Sequence, residues 1–149
     1  MPLILCAFGT YFAFIHFWNG FDSITGDLGD ARFNSYVLEH TWLWIKGEHI
    51  LFNMPMFYPS PNAYAYSDFM LGFAPIYWFY RFIGCEILLS FQWWLITGSV
   101  LNFVSYYFLC KKFFELSTFW SSIAGFIFAF SLPRITHLEH AQMNAQFFI

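Results

Sequence analysis

Four carboxylates, Asp27, Asp30, Glu39 and Asp68, are the residues best suited to chemistry in this chain, and they are near enough in sequence to converge. A carboxylate can take the proton from a hydroxyl as that hydroxyl attacks, or it can ligate a cation. Placed where water meets lipid, such a base has access to both a polar acceptor and a lipid-carried donor. A divalent cation is the cofactor these acids suggest, although no metal-ligand set can be assigned. Three arginines, Arg32, Arg81 and Arg134, supply the complement, because a guanidinium matches a phosphate with two parallel hydrogen bonds. His137 and His140 are three residues apart, so one helical face can present both. Without a third ligand they read as polar contacts at the mouth of a site rather than as a metal centre.

Each of these residues has a plainer reading. Asp30 immediately precedes a helical pattern and suits an N-cap. Asp27, set among glycines, suits a turn. Asp68 can cap the short apolar segment that follows it. Glu39 can be solvated or paired with a helix neighbour, and the arginines can snorkel at an interface. No GxGxxG, GxxxxGK[ST], HExxH or GxSxG pattern occurs, so soluble nucleotide chemistry and serine hydrolysis have no support. The net charge of −3 gives no nucleic-acid signal. Cys6, Cys85 and Cys110 form neither a CxxC pair nor a disulfide framework and read as small apolar fillers.

The elements that must hold these residues are set by composition. The chain has 149 residues, 59% hydrophobic, 26% aromatic and 10% charged, whereas soluble domains carry about 25% charged residues. A small domain has too little interior for 23 Phe, 9 Tyr and 7 Trp. Lipid removes the conflict, and the expected class is an all-α membrane protein with three transmembrane helices. Residues 2–19 form an uncharged first span with Trp18 at the interface; no basic residue precedes Arg32, which argues against a signal peptide. Residues 87–110 form the clearest span, and residues 116–133 a third, rich in Phe and small side chains. The connection Lys111-Lys112 is placed in the cytoplasm by its charge. The long loop 20–86 is then extracytoplasmic, in the inner membrane of a cell, as is everything after Pro133. Residues 69–80 are apolar but too few to span, and read as an interface-lying or re-entrant helix. The loop carries a second helix over residues 31–46, closed by Gly47, with Ser35, Glu39 and Lys46 along one stripe and Phe33, Tyr36, Val37, His40 and Trp44 on a broad apolar face. The prolines of residues 57–68 exclude a regular helix there.

In that setting, Gly29-Asp30-Ala31-Arg32-Phe33-Asn34, Tyr36-Val37-Leu38-Glu39-His40, Phe57-Tyr58-Pro59, Tyr66-Ser67-Asp68 and Leu71-Gly72 follow the first span in order. Later come Phe128-Ala129-Phe130-Ser131-Leu132-Pro133-Arg134 and His137-Leu138-Glu139-His140-Ala141-Gln142. This layout resembles the amino-terminal part of bacterial polytopic GT-C-like glycosyltransferases, relatives of the mannosyltransferase and oligosaccharyltransferase groups. The adjacent Asp-Glu pair of some members is absent. The resemblance implies sugar transfer from a polyprenyl-phosphate donor to an extracytoplasmic acceptor. Asp30 would be the catalytic acid, with Asp27 second. Arg32, Arg81 or Arg134 would hold the lipid phosphate, and Asp68 would shape the site, with Glu39, His137 and His140 as further substrate contacts. Gln146-Phe147-Phe148-Ile149 reads as the start of another apolar element, so further spans of a longer protein are expected as partners. The alternatives are a non-catalytic membrane assembly subunit and a transporter part. Transport would favour ionisable residues inside the spans, where only His16 is found.

Overall fold

The computed structural model describes residues 1–24, 29–66, 69–138 and 140–144. Among these residues the secondary structure is entirely helical. The elements are α1 (Pro2–Ala13), α2 (Asp30–Ile45), α3 (Ala74–Phe82), α4 (Ile87–Lys112), α5 (Thr118–Phe130) and α6 (Leu132–Thr136), with 3-10 turns at Ala63–Tyr66, Met70–Gly72 and Ala141–Asn144.

α4 organises the rest. Its 26 residues extend about 39 Å at the helical rise of 1.5 Å per residue. Lys111 and Lys112 occupy its last turn, where positive charge suits the carbonyl end of the helix. A short turn leads to Ser117, whose hydroxyl accepts from the Trp120 N–H and starts α5. The two helices pack closely because α5 presents Ser121, Gly125 and Ala129 at four-residue spacing. A Cβ on Gly125 would come within 3.0 Å of the Phe103 carbonyl oxygen. α1 packs against α5 in the same way, since the Phe130 ring covers Gly9 and any Cβ there would meet it at 2.3 Å. Among the described residues, 87–112 and 118–136 are the two segments long and apolar enough to cross a membrane. The second is broken at Ser131, whose extended backbone separates α5 from α6 ahead of Pro133.

The first expected span differs from its sequence reading. α1 has 12 helical residues, not 18, and about 20 are needed to cross hydrocarbon as a helix. The chain leaves the helix in order to bury aromatics. Phe14 and Phe17 turn into the core at 1% exposure each, and the Trp18 indole N–H donates to the Tyr11 carbonyl across the break. Phe21 then stacks on Trp93 of α4, and Gln92 Nε2 donates to the Phe21 carbonyl at 2.9 Å and to that of Ser23. Residues 14–23 are therefore anchored to the amino-terminal end of α4, away from Lys111.

α2 matches its expected bounds to within a residue and ends as anticipated, with Gly47 at φ +77, a conformation other residues resist. Its faces are distributed differently. Ser35 and Glu39, read as a polar stripe, are buried with Ala31, Asn34, Val37, Leu38, His40 and Thr41, while Tyr36 is exposed. Glu39 turns inward because Tyr77 and Arg81 of α3 supply its partners, and Asn34 meets Gln142 of the 3-10 turn 141–144. The helix expected over residues 69–80 begins later: Phe73, not Asp68, occupies its N-cap position, and Pro75 sits in its first turn. Ser67 and Asp68 lie outside the described residues.

Candidate functional site

α2 carries two acids nine residues apart, and the fold gives them different surroundings. Asp30 is the first residue of the helix, with Gly29 at the N-cap position. A negative charge there meets the positive end of the helix dipole. Asp30 Oδ2 lies 2.9 Å from His140 Nδ1, and the two side chains are 55% and 39% exposed respectively. The His140 ring stacks on His137, with centroids 5.6 Å apart. His137 in turn lines a small recess with Pro133, Arg134, Met143 and Asn144. Arg134 holds that recess in shape, since Nη1 donates to the Met143 carbonyl at 3.2 Å and the guanidinium lies 4.4 Å from the centroid of the Phe128 ring.

Segment 140–144 is held in place by α2 and α4. One turn beyond Asp30, Asn34 Nδ2 donates to Gln142 Oε1 at 3.4 Å. Asn144 is buried against the middle of α4, where its Nδ2 donates to the Leu95 carbonyl at 3.3 Å and to Ser99 Oγ at 3.1 Å. Asn102 Nδ2 completes the anchor by donating to the Asn144 carbonyl at 2.6 Å. Ser99 and Asn102 of α4 are thus taken up in docking the chain that carries His140.

The second acid is enclosed. Glu39 Oε2 accepts from the Tyr77 hydroxyl at 2.6 Å and lies 2.9 Å from Arg81 Nε, while Oε1 accepts from Arg81 Nη2 at 3.0 Å. Arg81 Nη1 donates to the Cys85 carbonyl at 2.6 Å. The Glu39 and Arg81 side chains are only 12% and 21% exposed. Burial first, and the adjacent Glu39 carboxylate second, raise the Tyr77 phenol above its ordinary value, so it acts as a fixed hydrogen-bond donor. The Trp78 indole adds a bond to Thr41 Oγ at 2.9 Å. This network joins α2 to α3.

The nine residues singled out in the sequence therefore separate. Asp30, His137, His140 and Arg134 gather where α2, the end of α6 and segment 140–144 meet. Glu39 and Arg81 form the α2–α3 lock. Arg32 is exposed, and Asp27 and Asp68 lie outside the described residues. Among the described residues no cluster of three or more His, Cys, Asp or Glu is arranged to hold a metal. Sequence reasoning missed Tyr77, although its place four residues before Arg81 puts both on one helical face. It also missed Asn34, Gln142 and Asn144, which have no local signal because their partners are distant in the chain.

The Asp30 carboxylate is accessible, so it can take a proton from a bound hydroxyl. The buried Glu39 pair has no comparable access. No protein family, curated protein or solved structure matches the chain.

Proposed function

We propose that the chain is part of a membrane glycosyltransferase of GT-C-like layout, with Asp30 as the base that activates an acceptor hydroxyl for attack on a polyprenyl-phosphate-linked sugar. The single observation that carries this reading is the meeting of Asp30 with His140. It joins the acid at the head of α2 to the segment that follows α5 and α6, more than a hundred residues later. In this reading the acceptor proton passes to Asp30, and His140 orients the carboxylate through Nδ1. The sugar–phosphate bond breaks as the acceptor oxygen attacks, and polyprenyl phosphate leaves with the electron pair, its charge faced by Arg134 and His137 beside the recess. The membrane setting is supported by apolar side chains left in the open: Leu3, Ile4 and Phe8 on α1, Phe108 on α4, and Trp120 and Ile127 on α5. The basic end of α4 lies in the cytoplasm, and α2 and α3 rest at the outer surface.

The test is sugar transfer in membranes of cells expressing the protein, with radiolabelled polyprenyl-phosphate sugars as donors. Asp30→Asn is expected to lower transfer at least a hundredfold at equal expression. Unchanged transfer would remove Asp30 from the chemistry. Extraction of the protein from membranes by alkaline carbonate would remove the bilayer from the reading.

A further inference from the structure

The strap that follows α2 carries no formal charge: from residue 49 to residue 67 the sequence has no Asp, Glu, Lys or Arg. Its bulk is aromatic, and Phe57, Tyr58 and Tyr66 are 74%, 95% and 89% exposed. Rings left in water forgo the gain of burial. The backbone that displays them is nevertheless held in place. Met54, Ala63 and Tyr64 are buried as its anchors. The Asn62 N–H donates to Asn53 Oδ1 at 3.1 Å, the Tyr64 N–H to the Phe52 carbonyl at 3.2 Å and the Ser60 N–H to the Phe57 carbonyl at 2.9 Å. A frame fixed in this way lowers the ordering cost of a ligand that the rings bind.

Between the rings the strap is concave. Phe57, Ser60, Asn62 and Tyr66 border a recess of about 610 Å³, inside the range of about 300–1,000 Å³ usual for small-molecule clefts. Ser60 also borders a second recess of about 270 Å³, shared with Asn53 and Tyr58. Asn53 in turn borders a third, of about 240 Å³. The three follow one another along the strap through shared walls. Those walls offer two kinds of surface. The ring faces carry partial negative charge and suit polarised C–H groups. The Asn53 and Asn62 amides and the Ser60 hydroxyl can donate and accept. A flat C–H face edged by hydroxyls, without net charge, is the surface of a neutral sugar. A phosphate would meet no Lys or Arg of the strap. A bilayer fits less well, because sinking the rings into hydrocarbon would strip water from Asn53, Ser60 and Asn62.

We propose that residues 53–66 form a binding surface for a neutral oligosaccharide, with Phe57, Tyr58 and Tyr66 as stacking platforms and Asn53, Ser60 and Asn62 as partners for its hydroxyls. The surface is separate from Asp30. Its anchor Tyr64 meets the His40 ring with centroids 5.7 Å apart, and His40 lies ten residues along α2 from Asp30, about 15 Å at the helical rise. The inference is independent of the sugar-transfer reading: a chain that binds saccharide here and transfers none keeps it, and a transferase that binds none here loses it.

The test uses the full chain in phosphatidylcholine nanodiscs, which contribute no sugar, and saturation-transfer NMR with neutral hexasaccharides of glucose, mannose, galactose and N-acetylglucosamine. At least one is expected to bind with a Kd of about 1 mM or lower and to receive saturation at its ring C–H protons. Tyr66→Ala is expected to weaken that binding about fivefold, and Tyr66→Phe to leave it near the parent's, because the sugar meets the ring face. Asn62 stands at φ +58, so Asn62→Gly keeps the backbone while removing the amide, and about fivefold weaker binding is expected. Both side chains are exposed, so helical content should stay that of the parent. Failure of all four hexasaccharides to bind, or equal binding by the parent, Tyr66→Ala and Asn62→Gly, would overturn the proposal. A nitroxide at Tyr58→Cys, with Cys6, Cys85 and Cys110 replaced by serine, gives a second reading. It is expected to be reached by an aqueous nickel chelate, and a label reached instead by oxygen dissolved in the lipid would place the rings in the bilayer and overturn the saccharide surface.

Discussion

Glu39 and Asp30 are carboxylates of one helix, each paired with a basic side chain, yet the fold uses them in opposite ways. Glu39 receives the Tyr77 hydroxyl and two nitrogens of Arg81 in a nearly closed space. Asp30 meets a histidine with more than half of its side chain in the open. A buried ion pair is held by the cost of separating its members, because either one alone would be an uncompensated charge. An exposed pair has no such penalty, and solvent screens it. The difference concerns which acid is accessible. Glu39 is already committed to holding α3 on α2, whereas Asp30 has the exposure that the proposed chemistry requires.

The contrast is broken most directly at Arg81. Arg81→Met leaves Glu39 charged and enclosed, and the expected loss is about 3–5 kcal/mol, the range for stranding one member of a buried pair. Thermal unfolding in detergent checks it. The double variant Glu39→Met, Arg81→Met removes both charges and is expected to recover most of that loss, since apolar side chains of similar volume replace such pairs at little cost. Equal melting of the single and double variants would show that Glu39 is not stranded. Tyr77→Phe is the next largest effect. It removes one short hydrogen bond to the carboxylate but leaves the guanidinium, so about 1–3 kcal/mol is expected, with helicity unchanged.

The same two regions show how far the sequence could be read. The class of elements was legible: uncharged runs at 87–110 and 116–133 correspond to α4 and to α5 with α6, and Gly47 ends α2 as its residue type requires. These are local signals of length, composition and backbone freedom. The inward turn of Ser35 and Glu39 was not legible, because a polar stripe on one helix gives no hint that Tyr77 and Arg81 will arrive to satisfy it. The early end of α1 was hidden for a similar reason. The apolar run continues to Trp18, but Phe14 and Phe17 gain more by entering the core than by continuing a helix. At the site, Asp30 was identifiable by its place at the head of a helix and His140 by its type. Their pairing depends on Asn144 docking into α4 through Ser99, Asn102 and the Leu95 carbonyl, contacts that span more than forty residues.

The smallest expected change in stability is at the exposed pair, and there it is most informative. Asp30→Asn keeps the size of the side chain and can still accept from His140, so the loss of stability should be about 0.5 kcal/mol, the usual worth of an exposed ion pair. His140→Gln should cost a similar amount. A double-variant cycle, measured by melting in detergent, should return a coupling of no more than about 1 kcal/mol. Such weak coupling is what the proposed function requires of a carboxylate that must leave histidine for an acceptor hydroxyl. A coupling of several kcal/mol would instead place Asp30 beside Glu39 as a second lock. The functional readout then separates the two acids. A small loss of stability with a large loss of transfer at Asp30 identifies chemistry. At Arg81, loss of transfer should track loss of folded protein, so activity per folded molecule stays near that of the parent. If transfer per folded molecule fell equally at both positions, the division between the locked acid and the open one would not describe this protein.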